Sequence, residues 1–228
     1  MNLRLLALSL IFLASTACTT LSTLDGARTL DPKQTQWALA GSMQRGANPL
    51  SGTVGALPQF ELAYRRGLAP DVDFGVRLYL LGTGFDMRYR FLHQGPWHMA
   101  VQPGLFVFSL PVGGGAGQGS LEVRAPITAE YELTDHWSVA AGGRLFLREQ
   151  WNSLSVGDEK GVATRLDTYL GGAARFEYHS RKFGLGTSVD LYDQQARAAG
   201  LAWSVGLDIQ FRTLSLAERE AAWARRHR

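Results

Sequence analysis

The 228-residue sequence contains a single cysteine, Cys18. No intramolecular disulfide can form, so covalent stapling is excluded as a source of stability. Charge excess is also missing: 23 basic side chains face 20 acidic ones, and loss of the first 17 residues removes only Arg4 from either set. A chain this close to neutral has no electrostatic footprint for nucleic acid, and none is expected as a partner. The run from Leu5 to Leu13, with Ser9 inside it, falls far short of the roughly 20 apolar residues that a membrane-spanning helix needs. Metal-ligand spacing is absent among the five histidines and the lone cysteine, so neither a metal nor another cofactor is expected. The glycine-rich "GGGAGQG" at 113 to 119 does not fit GxxxxGK[ST] and is followed by a strand pattern, which excludes a phosphate-cradling loop.

What is present begins with a leader. "MNLRLLALSLIFLASTAC" has one early positive charge, an apolar stretch and a small-residue segment ending at Cys18, the pattern of a cleaved export signal over residues 1–17. "LASTAC" resembles the lipobox of bacterial lipoproteins, with Ser15 where leucine is commonest. The resemblance implies that Cys18 is acylated and becomes the new N-terminus, and Thr19 after it implies sorting to the outer membrane. The alternative is an ordinary cleaved signal with an incidental cysteine. Residues 18–33 lack periodicity and read as a lipidated N-terminus and tether.

After the tether the sequence alternates apolar and polar residues almost to its end. A period of two is the signature of strands, and ten are expected, over 34–45, 57–66, 72–81, 84–92, 97–109, 120–133, 136–149, 164–178, 183–192 and 199–211. Their connections alternate between tight ("GLAPDV", "HQGP", "TDH", "HSRK") and mostly long and glycine-rich ("RGANPLSGTVGA", "LPVGGGAGQG", "QWNSLSVGDEKGVA"). Pro103 and Pro126 fall inside two neighbouring strands, where bulges are expected because proline cannot donate to a ladder.

One face of these strands is apolar. The other carries eight arginines (Arg65, Arg77, Arg88, Arg90, Arg124, Arg144, Arg148, Arg175) and ten acids (Glu61, Asp73, Asp86, Glu122, Glu130, Glu132, Asp167, Glu177, Asp190, Asp208). Either the apolar face is the core of a soluble, lipocalin-like, lipid-anchored barrel, or it meets lipid and the charges line a lumen. Three features favour the second. Glycines such as Gly75, Gly142 and Gly186 crowd the charged face, where a solvated exterior has no use for them. Apolar-face aromatics, among them Trp37, Tyr89, Trp97, Trp137 and Phe211, gather beside the tight turns as an interfacial girdle would. Finally, "SVGLDIQF" resembles the terminal strand by which outer-membrane barrels are recognised for insertion: Ser204, Gly206, Ile209 and Phe211 match it, although 17 residues follow where the family often ends.

The expected fold is therefore all-β, a closed antiparallel up-and-down transmembrane barrel of about ten strands over 34–211, followed by a short C-terminal helix. Ser215 and Glu218 form a capping box for that helix, and the basic amphipathic tail 212–228 lies on the periplasmic side, where it caps the barrel mouth, rests on the membrane or docks an acidic partner or peptidoglycan. The resemblance is to small outer-membrane barrels in general. It implies partnership with outer-membrane lipid and the barrel-insertion machinery, and a monomer is expected. Similar barrels include proteases and acyl-chain hydrolases, but here His93, His98, His136 and His179 sit at or near tight turns and His227 in the tail, so the general base of those enzymes has no counterpart at the long-loop rim. No enzyme is expected. The functional expectation is a structural or surface-interaction barrel filled by ion pairs, with a narrow pore or a carrier of a small or lipidic ligand as the alternative, and the long loops as the place for an unidentified surface ligand.

Overall fold

A computed structural model describes residues 25–47, 54–79, 82–112, 116–156, 159–194 and 201–215. Within them the chain forms twelve strand segments: β1 (Thr35–Ala47), β2 (Val54–Ala69), β3 (Val72–Tyr79), β4 (Gly82–Gln94), β5 (Trp97–Val101), β6 (Gly104–Val112), β7 (Ala116–Arg124), β8 (Ile127–Glu132), β9 (Trp137–Val156), β10 (Glu159–His179), β11 (Phe183–Gln194) and β12 (Leu201–Arg212). All pairings are antiparallel. β5 and β6 pair with the lower and upper parts of β4, and β8 and β7 with the corresponding parts of β9, so these four segments make two broken staves and the ring has ten staves. β12 returns to β1 through Trp37↔Phe211, Leu39↔Ile209 and Met43↔Val205, which closes the sheet and leaves no edge.

Alternation then decides the faces. Along β12, Ser204, Asp208 and Gln210 are buried, whereas Val205, Leu207, Ile209 and Phe211 are exposed, Leu207 at 67%. The same inversion runs around the ring: Leu39, Phe60, Leu78 and Leu166 point out, and Asp73, Glu122, Asp167 and Asp190 are fully buried inside. This excludes the lipocalin-like arrangement, which needs apolar side chains within and charges outside.

The prolines are accommodated differently from the expected bulges. The segments 97–109 and 120–133, read as continuous strands, each break at a proline, yet the register is kept: Asp86↔Gly104 and Tyr89↔Val101 flank one gap, Arg124↔Phe146 and Ile127↔Gly143 the other. No residue is inserted because the freed groups bond across the gaps: Gln102 N–H donates to Pro126 O (3.0 Å), Met87 N–H to Pro103 O (2.9 Å) and Ala125 N–H to Leu145 O (3.0 Å). Register shifts occur instead at Gly67/Ala69 and Arg90/Leu92, beside the tight turns.

Three loop expectations also change. β9 and β10 pair from Tyr178↔Trp137 up to Glu159↔Val156, so most of "QWNSLSVGDEKGVA" is strand rather than loop. β1 and β2, and β6 and β7, extend similarly into the other glycine-rich connections. At the opposite end the turns are tight. Gly95 adopts φ +56°, a left-handed conformation that the two-residue β4–β5 turn requires and glycine supplies without strain. Among the described residues there is no helix, and the C-terminal helix expected beyond Ser215 lies outside them, as does the leader with Cys18.

Candidate functional site

The largest departure from the sequence reading lies before β1. Residues 25–31, expected to be tether, enter the tight-turn end of the barrel and line its interior, Ala27 and Leu30 being buried. A type II turn delivers them: Asp31, Pro32, Lys33 and Gln34 are closed by Gln34 N–H to Asp31 O (2.9 Å), with Lys33 at φ 68°. The turn is pinned to β2 by reciprocal bonds between Lys33 N–H and Gly67 O and between Gly67 N–H and Gln34 O, both 2.9 Å. Any tether must therefore lie before residue 25, outside the described residues.

This strap is held at two charged poles. At the deeper one, the Asp25 carboxylate accepts from Arg65 (3.0 Å), Gln102 (3.0 Å) and Arg77. Burial pushes the Asp25 carboxyl up, but Arg65, Arg77 and Arg88 overcome that effect and hold it well below the usual carboxylate range. At the shallower pole, Arg28 lies 2.5 Å from Glu130 and 3.3 Å from Glu177, and faces His179 at 2.7 Å. Backbone contacts join the poles: Ala27 N–H donates to Glu130 (2.7 Å), Leu30 N–H to Asp73 (2.9 Å), and Arg88 to Gly26 O (2.9 Å).

Around the strap the wall is laced together by its own charges. Arg65 bridges Asp73 and Asp86, Arg77 bridges Glu61 and Asp86, and Arg88 reaches Asp73. Across the lumen, Arg175 engages Glu177 (2.9 Å) and Asp208 (2.6 Å). Arg90, read from the alternation as a lumen residue, lines the mouth of the lumen and pairs there with Asp71 of the β2–β3 turn at 2.8 Å.

Above these ion pairs lies an aromatic layer that the sequence reading missed. Phe146 stacks on Tyr169 (4.5 Å between centroids) and meets Tyr192 edge-on, Arg124 lies 4.1 Å over the Phe106 ring and Arg148 4.8 Å over Tyr169. The signal was "LFVF" at 105–108, an apolar run without alternation, which marks a stave with apolar neighbours on both faces. Between the layers, Arg77, Gln102, Phe106, Arg124 and Arg144 enclose a void of only about 10 Å³, on the order of one water molecule. At the mouth, by contrast, a cavity of about 310 Å³ opens beside the strap, reached by Arg90, His98, Glu132 and Arg212. His98 lies there 3.3 Å from Glu132 and stacks on His93 at 4.6 Å. All described histidines lie at this end. Among the described residues no group of three or more His, Cys, Asp or Glu side chains is placed to hold a metal ion.

Of the residues singled out for membrane insertion, Ser204 and Gly206 face the lumen while Ile209 and Phe211 face outward on the closing strand. The outer aromatics form cross-strand pairs near the tight turns: Trp37 with Tyr64 (4.8 Å), Trp97 with Tyr131 (4.8 Å) and Trp137 with Phe176 (4.9 Å).

No protein-family model matches the chain. No curated protein is similar to it in sequence. Among solved structures, similar ones include the attachment invasion locus protein Ail of Yersinia pestis (12% identity, 80% of this chain and 99% of that one, TM-score 0.40). Neisserial surface protein A is 11% identical over 79% of this chain and 96% of its own, with TM-score 0.39. The outer-membrane protease OmpT of Escherichia coli is 8% identical over 84% and 98%, with TM-score 0.42. With identities and TM-scores this low, no function transfers from them.

Proposed function

We propose that the protein is an outer-membrane β-barrel lipoprotein, anchored through Cys18 with both termini in the periplasm, whose ion-paired lumen serves a structural or surface-interaction role rather than transport or catalysis. The observation that carries this reading is the inversion of the faces in a closed ring: a belt of exposed leucine, valine and phenylalanine outside, charges inside. In water such a belt far exceeds the apolar patch a monomer exposes, whereas in a bilayer it is the solvated surface. The outer aromatic pairs beside the tight turns support an interface at that height. Ser204, Gly206, Ile209 and Phe211 are the residues presented to the insertion machinery.

Two measurements test the assignment. Unboiled protein in detergent should migrate faster than boiled protein and partition with membranes; release into buffer as a monomer would overturn it. Cys18→Ala should abolish labelling by a fatty-acid probe, and persistent labelling would refute the anchor. A narrow pore is the second reading, and the tight layer around Arg124 and Phe106 weighs against it. Planar bilayers should stay silent across many insertions, and stepwise conductance would favour the pore.

A further inference from the structure

We propose that the tight-turn half of the lumen is a binding site for a short zwitterionic peptide segment, and that residues 25–31 of this chain occupy it in cis. The wall recognises peptide backbone as such: Glu130 and Asp73 accept the Ala27 and Leu30 N–H groups, and Arg88 donates to the Gly26 carbonyl. It recognises side chains at two poles of opposite sign, a carboxylate at Asp25 and a guanidinium three residues later at Arg28. Between them, a Cβ at Gly26 would press on the Glu130 carboxylate, so a larger residue there has to displace the group that faces Arg28.

The wall has ion pairs that do not involve the occupant: besides Asp25, Arg65 engages Asp73 and Asp86, and Arg77 engages Glu61 and Asp86. Glu130, 1% exposed, loses its facing cation with Arg28. A buried carboxylate left unpaired is costly, so the vacated site demands a cationic ligand. The adjoining 310 Å³ cavity offers the way in, and the arginine and aromatic layers above make the site blind, so exchange runs through the tight-turn mouth. This inference rests on the filled-barrel reading but not on the lipid anchor.

The test uses the full chain carrying Asp25→Asn and Arg28→Gln, which weakens the strap and leaves the wall intact. A fluorescent synthetic peptide of residues 21–33, LSTLDGARTLDPK, should bind this variant saturably, and the same peptide with Asp25→Arg and Arg28→Asp should bind roughly tenfold or more weakly. Heat-modifiable migration of the same samples reports the closed barrel separately, so failure to bind with migration intact overturns the site alone. Equal binding of both peptides also overturns it. In the unmodified chain the Ala27 and Leu30 amides should exchange slowly with solvent deuterium and faster in excess native peptide. Exchange unchanged across the titration would refute displacement whether or not the variant folds.

Discussion

Arg28 Nε stands 2.5 Å from Glu130 Oε1, joining the strap that precedes the barrel to β8 on its wall. Glu130 is 1% exposed, and the same carboxylate accepts the Ala27 N–H. The pair therefore couples the fate of the N-terminal segment to that of the lumen.

Removing one member should cost far more than removing both. Arg28→Gln strands Glu130 as a buried charge, for which about 3–5 kcal/mol is typical, whereas Arg28→Gln with Glu130→Gln leaves two neutral amides. Urea unfolding of the detergent-refolded proteins should show the double variant more stable than the Arg28→Gln single variant. A double variant at least as unstable would show that Arg28 acts through Glu177 and His179 instead.

Asp25 gives the strap a pH dependence of known sign. Burial pushes its carboxyl up, but Arg65, Arg77 and Arg88 hold it below the usual range. A depressed pKa contributes stability that is complete above the unfolded value, about 3.9, and is lost as pH falls through the folded one. The difference in thermal midpoint between the unmodified chain and Asp25→Asn should be constant from pH 8 to about 5 and shrink below about 4. A difference that grows on acidification would contradict the ion-pair assignment.

Period-two alternation is a local property, and it sorted Asp208 from Leu207 and closed the ring with the strand that contains both. Proline chemistry located both breaks but not their form, because carbonyl partners across neighbouring staves decide whether a residue must be inserted. The strap was illegible for a different reason. "DGAR" has no periodicity of its own, and its contacts with Glu130 and Arg77 span 102 and 52 positions of sequence. Segments that fold by filling a site made by the rest of the chain leave no signature in their own residues.

Two adjacent glycines in β9 should behave oppositely. A Cβ at Gly142 would be driven into the backbone of Ile127 and Thr128, which cannot yield, whereas one at Gly143 meets nothing within 4 Å. Gly142→Ala should cost about 1–3 kcal/mol, as overpacking does. Gly143→Ala should be neutral or stabilise by up to about 1 kcal/mol through the unfolded chain. Both are read in the same urea titration, and equal effects would place the two residues on faces other than those described.

The apolar belt can be probed where it is most exposed. Leu207 lies midway along β12 and is 67% exposed. In a water-soluble barrel Leu207→Arg would exchange an exposed apolar group for a charge, with an effect within about 0.5 kcal/mol of zero. At the bilayer midplane the same change costs about 2–4 kcal/mol, falling towards zero near the interfaces. Arginine placed in turn at Leu207, Ile209 and Phe211, all outward on one strand, should therefore destabilise the protein refolded in liposomes progressively less towards the tight-turn rim. A flat profile would mean that this face does not meet hydrocarbon, because depth dependence is a property of the bilayer and not of the strand.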